Sequence, residues 1–415
     1  MTAGMSRARR RVRVLGALAV AASWSVLFVG AAQPAAADTQ SKQWYLAAMQ
    51  AEDMWKVTTG EGVKVAVVDT GVNSSTPSLR GQVLKGVDAT GAPGDETDDY
   101  EGHGTTMAEL IAGTGKGGGL KGLAPGAKII PLRIALGEFQ EKHSSSIQDI
   151  ANAIRAAADS DAQIISMSFG SRHTTPQDRE AIKYAESKGK LLFAAVGNEG
   201  HKQNELGYPA AYPQVVGVAS ADRAGKVSFY SQHVGTVDVA SPGSDVPSWC
   251  DKSFESYCDG DGGTSAATAI ASASAALVWS LHPDWTANQV LNVLFDTAAR
   301  DWKDGERSEY LGQGLIRPSM NILKGKGDPG DPDISPLTKE RTTGPAKSSE
   351  PSASTSTSAS PQPAKNGAEG DKAVAVKESN SSDDGNQLGL ILGLAAAVAV
   401  LGGVAYVVVR RRKAA

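Results

Sequence analysis

Val63-Lys64-Val65-Ala66-Val67-Val68-Asp69-Thr70-Gly71 runs apolar and β-branched for almost its whole length and then stops at an acid and a Thr-Gly turn. A strand that is apolar at successive positions is buried on both faces, which happens in a parallel sheet covered by helices on both sides. Outward from it, the same kind of run recurs at 127–133, 164–168, 191–196 and 215–220. Helical patterns lie between these runs, at 105–113, 146–160 and 176–188. Strands alternating with helices from 38 to 324 predict an α/β domain with a mostly parallel central sheet. The 266–281 stretch is rich in Ala and Ser, as suits a helix packed closely on most sides. Thr286-Ala287-Asn288-Gln289 is a capping box that starts another.

Four residues in this frame carry chemistry. Asp69 ends the first strand, where a carboxylate can face the crevice beyond a parallel sheet, although Asp before Thr-Gly is also an ordinary turn residue. His103 sits in Gly102-His103-Gly104-Thr105, a setting equally open to a structural histidine, and His143, His173, His201, His233 and His282 have nothing comparable around them. Ser265, in Gly262-Gly263-Thr264-Ser265, is alone no more than a helix cap; as a nucleophile it would have backbone N–H groups beside it. Asn198, in Val196-Gly197-Asn198-Glu199-Gly200, is by itself either a turn asparagine or an amide donor.

Together they follow the order Asp, His, Asn, Ser at steps of 34, 95 and 67 positions. With Gly62-Val63, Asn73, Pro77, Leu79, Gly122-Leu123-Ala124-Pro125 and Ser166-Met167-Ser168-Phe169-Gly170, the stretch 44–323 resembles the subtilisin-like serine proteases. The resemblance implies a three-layer subtilisin-like fold and hydrolysis of polypeptides through an Asp69/His103/Ser265 triad, with Asn198 in the oxyanion hole. It also implies substrate-backbone contacts from Ser168, Phe169 and Gly170, and no cofactor. One departure is that Ala266-Ala267-Thr268-Ala269 stands where the family has Met-Ala-Ala-Pro, so a proline's fixed dihedral is missing from the nucleophile's helix.

The rest of the chain sets location. Residues 1–37 join a basic front to an apolar run and end in Ala35-Ala36-Ala37, the pattern of a secretory signal peptide; an uncleaved anchor is the competing reading. Residues 388–409 are 22 without a charge, followed by Arg410, Arg411, Arg412 and Lys413. That predicts one transmembrane helix, a cytoplasmic tail at 410–415 and a peptidase domain outside the cell membrane. Residues 325–387, poor in large apolar side chains and rich in Pro, Ser and Gly, are expected to be a disordered linker.

Cys250 and Cys258, both in the exported part, are expected to form a disulfide worth about 2 to 3 kcal/mol, with two free thiols as the alternative. A net charge of -4 argues against nucleic acid as a partner. The acidic clusters Asp95, Glu96, Asp98, Asp99 and Asp328, Asp331, Asp333 lack a calcium-loop pattern and are expected to be solvated, with no metal site. The stretch 38–63 is too short for a large inhibitory propeptide; Trp44, Tyr45, Leu46 and Trp55 suit an arm packed on the domain. Signal peptide, short arm, linker and single membrane helix resemble the mycosins of type VII secretion, which implies membrane components of that machinery as partners. A structural role there, with an idle protease site, is the alternative function, and a binding module on a decayed protease fold is a third.

Overall fold

The structure, a computed structural model, describes residues 39–342 except 144–148, 261 and 304. The expected signal peptide, membrane helix, cytoplasmic tail and most of the expected linker lie outside the described residues. In chain order the elements begin with two short helices, α1 (Trp44–Ala48) and α2 (Ala51–Met54), then β1 (Lys64–Asp69), β2 (Val87–Asp88) and α3 (His103–Ala112). Next come β3 (Lys128–Arg133), α4 (Gly137–His143), α5 (Asp149–Asp159), β4 (Ile164–Met167), α6 (Pro176–Ser187), β5 (Leu191–Ala195), β6 (Val216–Ala221) and β7 (Val239–Pro242). The strands β8 (Ser248–Trp249) and β9 (Tyr257–Cys258) precede α7 (Thr264–Leu281), α8 (Ala287–Asp296) and α9 (Ser319–Ile322).

Seven strands form one sheet in the order β2-β3-β1-β4-β5-β6-β7, every pair parallel. In β1 the two-residue period of a strand sends Val65 and Val67 into one core and Ala66 and Val68 into the other. The first core holds α3 and α7, the second α5 and α6, so the sheet is the middle of three layers. After β1 the chain builds outward to β3 on one side and then returns to β4 on the other. Such a reversal opens a crevice at the carboxyl ends of the strands, where ligands of open α/β sheets bind. Asp69 and the segments that follow β4 and β5 all lie at those ends.

The long helix α7 is apolar enough to cross a membrane, yet 83% of it is buried inside the fold. Its Ala and Ser side chains leave it thin, which lets it pass close to β4, β5, β6 and β7. It continues through Ala269 without a break, so the absent proline leaves the helix intact. The capping box forms as expected, with Thr286 accepting from Gln289 N–H and Gln289 Oε1 accepting from Thr286 N–H.

Three features differ from expectation. The sheet gains β2 and β7, which are too short or too rich in Ser and Pro to show a pattern. Packing on the domain does not end at 324: Asn292 donates to the Pro329 carbonyl at 3.0 Å and Asn288 to the Pro332 carbonyl at 2.9 Å, and Ser335 is buried. Residues 325–342 thus lie along α8, held through carbonyls that side-chain amides satisfy and by Leu337, which packs on the edge of the first core. Lastly, Asp99 is buried, so the solvated reading of the first acidic cluster fails for that residue.

A paired hairpin joins β8 to β9, with Cys250 and Cys258 bonded across it. Trp249 stacks on Tyr257 and its backbone N–H donates to Thr106 Oγ1 at 3.0 Å, which ties the hairpin to α3. Tyr257 also donates to Glu109 Oε2 at 2.6 Å, and Thr76 donates to Oε1 at 2.8 Å. Glu109 is fully buried, and that burial, against the lowering effect of its hydrogen bonds, lifts its carboxyl from 4.5 to about 7. A raised carboxyl pKa in the folded state means that stability is full below about 4.5 and falls as pH rises through about 7. Glu109→Gln should remove a pH-dependent component on the order of 3 kcal/mol, seen as a flatter urea-unfolding free energy between pH 5 and 8. Equal slopes in the two proteins would show that Glu109 does not titrate in this range.

Candidate active site

His103 opens α3 directly after Gly102, whose left-handed φ of 94° a side chain would strain. Gly104 follows because the helix comes very close to β1. A Cβ there would lie 2.2 Å from the Gly71 carbonyl oxygen and 3.1 Å from the Asp69 Cβ. This approach brings His103 Nδ1 to 2.7 Å from Asp69 Oδ1, which also accepts the Thr70 N–H at 2.8 Å. Asp69 is fully buried, while the His103 side chain keeps a third of its surface exposed. Desolvation pulls the imidazolium down, but the Asp69 charge and hydrogen bond, with Glu101 and Asp99 nearby, raise it to about 9.

Asp99 holds this arrangement together. Its carboxylate accepts from Thr70 Oγ1 at 2.8 Å, Gly102 N–H at 2.8 Å, Thr105 N–H at 2.8 Å, Thr105 Oγ1 at 2.6 Å and Glu101 N–H at 3.0 Å. Thr70 Oγ1 in turn accepts the Gly104 N–H at 2.9 Å. One buried acid therefore links the end of β1 to the start of the helix that carries His103, where backbone donors lack helical partners. Asp99 does not stand out in the sequence, since acids crowd that loop. Its place four residues before His103, at a helix start, was the available signal.

Ser265 is the second residue of α7 and is half-buried. Its Oγ donates to the Ser168 carbonyl at 2.9 Å, and Ser168 Oγ donates to the Ser265 carbonyl at 3.1 Å. The chain leaving β4 is thus fastened to the start of α7. Asn198, after β5, accepts at Oδ1 from both the N–H and Oγ1 of Thr264, each at 3.0 Å. Those bonds orient the amide so that Nδ2 stands beside Gly263, 3.3 Å from where a Cβ would be. Phe169, Gly170, Asn198 and Ser265 line one cleft of about 320 Å³. The expected residues Ser168, Phe169, Gly170, Asn198 and Ser265 are therefore neighbours, and Asp69 and His103 form a pair at the same edge of the sheet.

The subtilase family profile matches residues 60–314. The chain is 37% identical over 205 residues to the "Major intracellular serine protease" of Bacillus subtilis (strain 168), across 48% of this chain and 63% of that protein's length. Against Subtilisin Savinase of Lederbergia lenta it is 33% identical over 261 residues, covering 62% of this chain and 92% of the relative. Among solved structures, MycP1 from the ESX-1 type VII secretion system superposes with a TM-score of 0.59 at 28% identity, over 71% of this chain and 88% of that one. A parallel sheet, a crevice at its carboxyl edge and a profile match along most of the described domain lead to one assignment: the chain belongs to the subtilase family.

Proposed function

We propose that this chain is an exported, membrane-tethered serine endopeptidase. The observation that carries the reading is the Asp69–His103 pair at 2.7 Å, built on the same sheet edge as the cleft that holds Ser265 and Asn198. Ser265 Oγ, released from the Ser168 carbonyl, attacks a peptide carbonyl while His103 takes its proton and later delivers it to the leaving amine. Asp69 fixes the imidazole tautomer and stabilises its cation. The Asn198 Nδ2 donor and the Ser265 N–H stabilise the oxyanion, and Ser168, Phe169 and Gly170 hold the substrate backbone. No cofactor or metal enters this chemistry.

The test is cleavage-site profiling of a proteome treated with wild type or Ser265→Ala: sites present only with wild type support the reading, and identical profiles contradict it. Asn198→Ala should lower kcat by about 10² to 10³ with KM little changed, a magnitude taken from the equivalent loss in subtilisin, a relative. A fall confined to KM would place Asn198 outside the oxyanion hole.

The signal-like residues 1–37, the linker composition beyond 342, the apolar 388–409 and the four cations after it support export and anchoring, with the domain outside and the tail in the cytoplasm. Oxidation of Cys250 and Cys258 fits that compartment. The likeness to MycP1 supports type VII secretion substrates as what this endopeptidase processes, and it favours a second reading, in which the protein is a structural component of such a system with secondary or idle protease activity. If Ser265→Ala preserves secretion while deletion of 388–409 abolishes it, the structural role stands. Equal loss from both removes the distinction.

A further inference from the structure

One face of α3 is given over to the hairpin of β8 and β9. Gly102, Thr106 and Glu109 recur at the i, i+4 and i+7 spacing that places residues on one side of a helix, and each of them meets the hairpin. At Gly102 the fit is so close that a Cβ would lie 2.9 Å from the Asp251 carbonyl oxygen and 3.4 Å from the Trp249 Cβ. Thr106 Oγ1 accepts from the Trp249 backbone N–H at 3.0 Å and donates to the Gly102 carbonyl at 2.8 Å. A hydrogen-bond chain thus runs from the hairpin to the residue directly before His103. Two turns on, Tyr257 donates to Glu109 at 2.6 Å.

The hairpin has little of its own to keep it in shape. Its strands pair only Ser248 with Cys258 and Trp249 with Tyr257, and one further backbone bond runs from the Cys250 N–H to the Ser256 carbonyl at 3.1 Å. So short a two-stranded ribbon is marginal in water, and most of its connecting loop, 251–253 and 255–256, is exposed. The neighbouring Lys42–Asp259 ion pair is solvent-exposed and adds little. What closes the ribbon is the Cys250–Cys258 bond, and both cysteines are exposed, open to exchange with an external thiol. Without that bond the loop ends are free to part, and strands of two residues do not by themselves keep Trp249 and Tyr257 stacked against α3.

We propose that the Cys250–Cys258 disulfide is a redox switch acting on His103: oxidised, it holds the hairpin on α3 and keeps His103 aligned with Asp69 and Ser265; reduced, it releases that helix face and turnover falls. The inference rests on the peptidase reading and adds a regulation to it. Reduction takes two electrons and two protons from a dithiol. The S–S bond breaks, Cys250 and Cys258 become thiols, and the dithiol closes to its own disulfide. Trp249 and Tyr257 act on His103 through α3 and are positioning residues. Asp99 still holds the start of the helix through Thr105, so α3 loses alignment on reduction and not its fold.

The test compares the purified full-length protein with and without dithiothreitol. The chain has two cysteines in all, so the reagent reduces nothing else in it. Displacing a catalytic group by about 1 Å costs on the order of a hundredfold, and a loosened helix should cost part of that: a fall in kcat of about tenfold with KM little changed. The acid limb of kcat/KM should move to lower pH as the Asp69–His103 pair loosens, and hydrogen exchange should quicken at the amides of 102–112 but not in β1 or β4. Reoxidation should restore all of these. Cys250→Ser/Cys258→Ser should match the reduced enzyme and ignore dithiothreitol, whereas Tyr257→Phe, which keeps the disulfide, should lower kcat about threefold. A kcat and an exchange pattern that reduction leaves unchanged would overturn the proposal. So would a loss of kcat with an unmoved pH midpoint and exchange quickened throughout the domain, which is plain unfolding. Exchange is read without substrate and so separates the two claims. Quickened exchange at 102–112 in protein that cleaves no peptide in either state would sink the peptidase reading and leave the hold on α3 intact, whereas cleavage that reduction does not slow would sink only the switch.

Discussion

Ser265→Ala is expected to lower kcat for peptide hydrolysis by about 10⁶-fold, the order seen in subtilisin when its nucleophile is removed. The change deletes one hydroxyl from a half-buried residue in the first turn of α7 and creates no cavity. The bonds lost are the one from Ser265 Oγ to the Ser168 carbonyl and nothing in either core. The variant should therefore melt within a few degrees of wild type, so that lost activity reports chemistry and not unfolding. Turnover retained above about 1% of wild type would mean that another group attacks the substrate.

Asp69→Asn is expected to cost about 10⁴-fold in kcat and to change the pH dependence of what remains. Asp69 Oδ1 accepts from the Thr70 N–H and meets His103 Nδ1, so an amide in that buried position can present its NH₂ to the ring and leave it in the wrong tautomer. In wild type the Asp69 charge, opposing desolvation, keeps the imidazolium protonated up to about 9. A general base must be neutral, so wild-type kcat/KM should climb as pH rises from 7 towards that value. Removing the charge should move the midpoint down by more than one pH unit. A wild-type profile flat from pH 7 to 10, or an Asp69→Asn profile with an unmoved midpoint, would contradict the assigned coupling.

Those two residues were legible in the sequence because each combines a local pattern with a fixed order along the chain. The long apolar runs that became β1, β3, β4, β5 and β6 were legible for a related reason: burial on both faces writes itself into every residue of the strand. Asp99 was not legible, since its partners Thr70, Gly102 and Thr105 identify themselves only when α3 meets β1, and a buried acid looks like its solvated neighbours Asp95 and Asp98. Residues 325–342 were hidden in the same way. Their Pro, Gly and Asp composition has little to bury, yet Asn288 and Asn292, more than 30 positions earlier, satisfy their carbonyls. The hairpin with Trp249 and Tyr257 escaped notice because each of its strands is two residues long, too short for any period to show. What sequence conveyed was periodicity and motif; what it withheld was polar satisfaction between distant segments.

The most direct measurement is labelling of the purified protein with a fluorophosphonate probe, followed by peptide mapping of the adduct. Wild type is predicted to take up close to one equivalent on Ser265, with labelling lost in Ser265→Ala and strongly slowed in Asp69→Asn. Folded wild-type protein that takes up no label, or that takes it up on a residue other than Ser265, would contradict the account.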